Sequence, residues 1–178
     1  MAVDEPMATA WDALAAGRDW VRVHRGSVTD VQVDAVVSPA NSFGWMRGGI
    51  DAVYSRWLPG IEDRVLAEIA ARFGGELPVG SALIVPTGVT TPAWLISAPT
   101  MREPGELLDP SGDAAAAAAA AVLRCWRDGV LPEPDGRAVR DVVRSLALPG
   151  LGTGVGGLAP ATCATRVAEA LDALLGGG

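Results

Sequence analysis

Apolar residues along this chain fall into two alternating rhythms, short runs of strand length and stripes of helical spacing, and that alternation predicts an α/β domain. Residues 8–16 read as a short helix, and Trp20-Val21-Arg22-Val23-His24-Arg25 alternates like an early strand. Gly26-Ser27-Val28-Thr29-Asp30 follows as a turn. Asp34-Ala35-Val36-Val37-Ser38 then reads as a buried strand, with a helix starting near Ile50. Between 61 and 73, Ile61, Val65, Leu66, Ile69 and Phe73 share one helical face, with acids in the first turn and Gly74-Gly75 after the last.

Two apolar runs, 81–86 and 93–98, flank a short connection and predict neighbouring strands. Residues 113–127 include eight consecutive alanines followed by Val122, Leu123 and Trp126, which reads as an ordered helix packed closely on a sheet. Gly129–Arg140, with Pro132 and Pro134, is expected to be a mobile loop, and Val142–Leu148 a final strand. From Pro160 a last helix carries Val167, Leu171, Leu174 and Leu175 on one stripe, and Gly176–Gly178 is expected to fray. Residues 20–175 are thus expected to form a single domain, preceded over 1–19 by an extension or short helix.

Composition narrows the class. A chain of 178 residues, 49% hydrophobic, can bury one good core. Its apolar stretches are shorter than a membrane span and its start lacks a secretory signal pattern, so the expectation is a cytoplasmic protein without a membrane partner. Cys125 and Cys163 stand far apart with no CxxC and no adjacent histidine, which predicts buried free thiols and no metal site. The single histidine, His24, reads as a half-exposed strand residue rather than a catalytic base. A net charge of −7 argues against a general nucleic-acid partner.

Chemistry concentrates in two glycine-rich loops, 38–51 and 149–157, each entered from an apolar run. Glycine lets backbone N–H groups turn toward an anion, and the first turn of a following helix leaves donors free. Two such loops could hold a diphosphate from both sides. A dinucleotide fingerprint at Gly150-x-Gly152-x-Gly154 is ruled down by position, since only one helix remains after it. A triphosphate loop is excluded because neither segment ends in Gly-Lys-Ser/Thr.

Taken in order, these segments resemble the macrodomain family from about Val21 to Leu175. Gly26-Ser27-Val28-Thr29 is similar to the family's Gly-Asp-Ile-Thr turn, and Val33 through Asn41 to its Val-Asp-Ala-Ile-Val-Asn-Ala-Ala-Asn. Gly48-Gly49-Ile50-Asp51 is similar to its Gly-Gly-Val-Asp, and Pro149–Gly157 to its second phosphate loop. The resemblance implies a three-layer α/β/α sandwich around a mixed, mainly parallel sheet, with ADP-ribose as ligand or substrate and no further cofactor. It places Ser27 and Val28 near the adenine and Asn41 on the distal ribose. Gly48, Gly49 and Ile50 would line the diphosphate on one side, and Gly152, Thr153, Gly154, Val155 and Gly156 on the other. Asn41 and Asp51 are the implied catalytic pair, Asp51 positioning or activating a water.

The chain departs from the family pattern at Ser27, in place of the adenine-contacting aspartate, at Ser38, in place of the first asparagine, and at Gly156, in place of an aromatic. Local explanations also stand: Asn41 could close an Asx-turn, and Asp51 could complement its helix start by about 0.3–1 kcal/mol. Two functions follow from the resemblance. The first is an ADP-ribose-binding domain that hydrolyses ADP-ribosyl, O-acyl- or phospho-ADP-ribose linkages. The second is a non-catalytic reader of ADP-ribose or a related nucleotide on a partner.

Overall fold

Four short strands carry the architecture. In the computed structural model, which describes residues 1–176, they are β1 (Ala35–Ser38), β2 (Leu83–Pro86), β3 (Trp94–Ser97) and β4 (Leu146–Ala147). They form one mixed sheet in the order β2-β3-β1-β4, with β1 parallel to β3 and β4, and β2 antiparallel to β3. All four β1 residues are buried, as the centre of a sheet covered on both faces requires.

Side-chain alternation splits the core in two. Val36, Leu83, Val85 and Leu95 face α2 (Gly49–Trp57) and α3 (Ile61–Phe73), where Tyr54, Leu58, Ile61, Val65 and Ile69 are buried. Ala35, Val37, Ile84 and Ile96 face the other layer, built from α1 (Glu5–Ala15), α4 (Asp113–Asp128), α5 (Val139–Val142) and α6 (Pro160–Leu175). The result is the expected three-layer α/β/α sandwich. In α4, Ala115, Ala118 and Ala119 are buried together with Cys163, Ala164 and Val167 of α6, so small side chains let the two helices approach. Asp4 caps α1 by accepting from Met7 N at 2.9 Å, and Met7, Ala8, Trp11 and Leu14 join the same core as α6. Gly74, in the left-handed region, ends α3.

Three segments differ from the sequence expectation. Trp20–Arg25 forms no strand; Arg25 alone makes a bridge, to Ala2, and Ala2 N donates to His24 O at 2.9 Å. Backbone pairing there goes to Ala2, and Val21 and Val23 line a cavity of about 860 Å³ together with Leu146 and Leu148. The stretch 129–140 is not a free loop: Val130 pairs with Ala138, Leu131 N donates to Arg137 O at 2.8 Å, and Leu131 is 3% exposed. An apolar anchor just before two prolines outweighs the loop-like composition. The run 142–148 yields only a two-residue strand, because Val139–Val142 is helical and Asp34 accepts from the N–H groups of Arg144 and Ser145. Gly176 is the C-cap of α6, and Gly177 and Gly178 lie outside the described residues.

Candidate functional site

Strand β1 ends at Ser38 and the chain loops through residues 39–48 into α2. Asn41 organises that loop. Its Oδ1 accepts from Phe43 N at 3.1 Å and Trp45 N at 3.3 Å, while its Nδ2 donates to Trp45 O at 2.8 Å. The Asx-turn read as an alternative for Asn41 is therefore formed, with Asn41 7% exposed. From α3, Glu62 reaches back to accept from Met46 N at 3.1 Å and stands 3.9 Å from Arg47. Sequence reading saw Glu62 only as a first-turn acid, since nothing in its spacing pointed back across a helix to the loop.

At Gly48 the chain enters α2 with no side-chain cap, and Asp51 falls in the first turn. The Asp51 carboxyl is 6% exposed and accepts from Ser38 Oγ through Oδ1 at 2.6 Å. Burial pushes its pKa from 3.8 up to about 7, against the opposing effect of the Ser38 hydrogen bond, with the nearby Glu62 adding to the rise. Such a carboxyl exchanges its proton near neutrality, the range in which a general base works best. A mere helix-start complement would gain about 0.3–1 kcal/mol, less than this desolvation costs.

The second loop follows β4. Leu151 is buried and its N–H donates to Cys163 Sγ at 3.2 Å, which anchors the loop to α6. The glycines here have separate causes. A Cβ at Gly150 would collide with Thr153 and Met7, and at Gly152 with Leu108. At Gly156 it would lie 2.7 Å from Gly152 O and 2.8 Å from Leu108 Cγ, and Leu108 N also donates to Gly156 O at 2.9 Å. Their smallness is required by packing within the chain. Gly154 is different: a Cβ there would meet nothing within 4 Å.

The two loops meet. A Cβ on Gly48 would lie 3.9 Å from Val155 Cγ2, so the start of α2 and the tip of the second loop stand opposite one another. The N–H groups of Gly48, Gly49, Ile50 and Asp51, and those of Gly152 through Gly156, make no hydrogen bond among the described residues. Both segments thus carry unused donors on loops that approach one another at Gly48 and Val155. All fourteen basic side chains are arginines, and none takes part in either set.

Ser27 and Val28 occupy a separate turn. Ser27 caps a 3₁₀ turn, Val28–Asp30, and Asp30 Oδ2 accepts from Ser27 N at 3.0 Å. Val28 is 1% exposed in the core beneath α2. No hydrogen bond links Ser27 to either glycine loop. Ile50 is half-buried against that same core, and Thr153 leans over Gly150. Among the described residues no group of three His, Cys, Asp or Glu could hold a metal, and no helix is long and apolar enough to cross a membrane.

The Macro domain family model matches residues 37–167. An uncharacterized protein of Aquifex aeolicus is 35% identical over 150 residues, covering 84% of this chain and 79% of its own length. The DNA ADP-ribosyl glycohydrolase of Thermus aquaticus is 27% identical over 88% of this chain, which spans 39% of that protein. Among solved structures, the macrodomain of Mycobacterium tuberculosis DarG superposes with a TM-score of 0.67 at 23% identity, over 85% of this chain and 89% of its own. Thermosipho africanus DarTG in complex with ADP-ribose superposes with a TM-score of 0.66 at 15% identity, over 85% of this chain and 38% of its own.

Proposed function

The chain belongs to the macrodomain family, and on that premise we propose that it binds ADP-ribose between its two glycine loops and hydrolyses an ADP-ribosyl linkage with Asp51 acting on water. One observation supports the binding half: the segments Gly48–Asp51 and Gly152–Gly156, whose N–H groups are unused, approach one another at Gly48 and Val155. A diphosphate offers acceptors to both sets at once, and backbone donors need no lysine to hold it. An acidic chain can therefore bind this anion. The solved Thermosipho africanus relative with ADP-ribose supports the choice of ligand.

The catalytic half rests on Asp51. Ionised, it accepts a proton from a water attacking the anomeric carbon, whose bond to the leaving oxygen breaks as positive charge develops on the sugar. A carboxylate leaving group departs with the bonding pair and needs no acid. Asp51 then returns its proton to solvent, an exchange its pKa near 7 allows at neutral pH. The family also supports the site, since the Thermus aquaticus relative is named as a glycohydrolase.

A second reading, a non-catalytic reader, is favoured by Asn41. Both polar atoms of its amide are already engaged within the loop, which limits what it can offer a ribose. Calorimetric titration with ADP-ribose beside AMP and NAD tests binding, and turnover of an ADP-ribosyl carboxylate ester tests hydrolysis. Hydrolysis predicts turnover that Asp51→Ala abolishes. Tight ADP-ribose binding with no turnover in the parent protein would establish the reader.

A further inference from the structure

The two edges of the sheet are guarded differently. On β2, Thr87 N donates to Ala93 O, so Val85 turns its backbone groups toward β3 while Ile84 and Pro86 turn theirs outward. Pro86 has no N–H to offer there, which closes that edge to a further strand. On β4, Ala35 N donates to Ser145 O, so Ser145 and Ala147 serve β1 and the backbone groups of Leu146 and Leu148 face away from it. Leu148 O accepts from the Met1 amine at 3.0 Å. The N–H and C=O of Leu146 and the N–H of Leu148 make no hydrogen bond among the described residues.

Residues 1–2 show what fits beside this open edge. Successive residues of an extended chain send their backbone groups to opposite sides, and here Met1 bonds Leu148 while Ala2 N donates to His24 O and Ala2 O accepts from Gly26 N, each at 2.9 Å. One extended chain therefore spans from β4 to the 20–25 segment. The cavity of about 860 Å³ takes Met1, Val21, Val23, Leu146 and Leu148 into its lining, a volume within the roughly 300–1,000 Å³ of ligand sites. Arg22 and Arg144 line it too, and neither stands in an ion pair among the described residues. Asp19 is the one carboxylate of that lining.

We propose that the groove beside β4 is a docking site for an extended segment of a partner polypeptide, apolar at alternate positions and acidic at one end, which adds to the open sheet edge as a strand. Its backbone pairs with the N–H and C=O of Leu146 and the N–H of Leu148, in the manner of strand addition to an exposed edge. Its apolar side chains enter the cavity against Val21, Val23 and Trp126. Its carboxylate meets the two arginines, whose charges no side chain of the described residues offsets. Two other occupants would leave different traces: the 20–25 segment closing on β4 by itself, and the same edge of a second copy.

Calorimetric titration of the full chain with acetyl-Asp-Val-Thr-Val-Thr-Val-amide, beside 15N NMR of amide exchange, separates these cases. The peptide should bind at one site and slow exchange of the Leu146 and Leu148 amides at least about tenfold. Methylating its backbone nitrogens, or replacing its aspartate by lysine, should weaken it at least about tenfold. Leu146→Pro removes an outward N–H without touching the β1 ladder, and should weaken the peptide by the same factor while leaving ADP-ribose affinity unchanged. If that variant does not unfold cooperatively, Val23→Lys, which places a charge in the groove, takes its part with the same expected loss. Absence of peptide binding, or equal affinity for either altered peptide, overturns the proposal. So do Leu146 and Leu148 amides already protected in the free monomer, the trace of closure by 20–25, or protected only in a peptide-free dimer, the trace of a second copy.

Discussion

Replacing Asp51 by asparagine isolates what its burial costs. Asparagine keeps the shape and an oxygen for the Ser38 hydroxyl but carries no charge. In the folded protein Asp51 titrates near 7, against 3.8 for an ordinary carboxyl. The folded state therefore binds the extra proton between those values, so its stability falls as pH rises from about 4 to about 7 and is flat above. A rise of about three units corresponds to about 4 kcal/mol. Asp51 is almost wholly buried, so solvent screening does not reduce this figure. Urea unfolding from pH 4 to pH 8 should show the two proteins within about 1 kcal/mol at the acid end, with Asp51→Asn more stable by about 4 kcal/mol at the alkaline end. Equal pH slopes would refute the reasoning, since Asp51 would then titrate alike folded and unfolded.

Further predictions concern the loops. Gly152→Ala should lower stability by about 2 kcal/mol or more, since it combines a left-handed φ with a collision on Leu108. Gly154→Val should leave the unfolding free energy in urea within about 0.5 kcal/mol of the parent, because its side chain enters open space. Glu62→Ala releases Met46 N and should cost about 1 kcal/mol in stability, with ADP-ribose affinity falling when measured by calorimetry. Leu131→Ala should cost about 2–5 kcal/mol in urea unfolding, which a freely moving 129–140 loop would not.

Legibility in the sequence followed the length scale of the interaction. The helix at 61–73 was readable because its stripe, first-turn acids and terminal glycine are all local signals. The alanine run was readable because propensity and packing agree there. The segment 20–25 misled because alternation says that a strand can form, not which partner it will pair with. Leu131 misled because one buried side chain among prolines carries little periodic signal. Within the candidate site, the family resemblance marked both loops and Asp51 as candidates, but not the cause of each glycine. Gly150, Gly152 and Gly156 answer to Thr153, Met7 and Leu108, two of them distant in sequence, which no local pattern could reveal. Ser38 registered only as a departure from the family pattern, whereas its 2.6 Å bond makes it the support of Asp51.

The central claim is that the start of α2 and the tip of the second loop jointly clasp one diphosphate. Calorimetric titration of ADP-ribose into the parent and into Gly48→Val tests it most directly, because Gly48 has an extended φ of −140° that valine tolerates and its side chain would point at Val155. Binding at one site in the parent, weakened at least about tenfold (about 1.4 kcal/mol) in a variant that still unfolds cooperatively, is the expected result. Equal affinity in both proteins, or no binding in the parent, would contradict it.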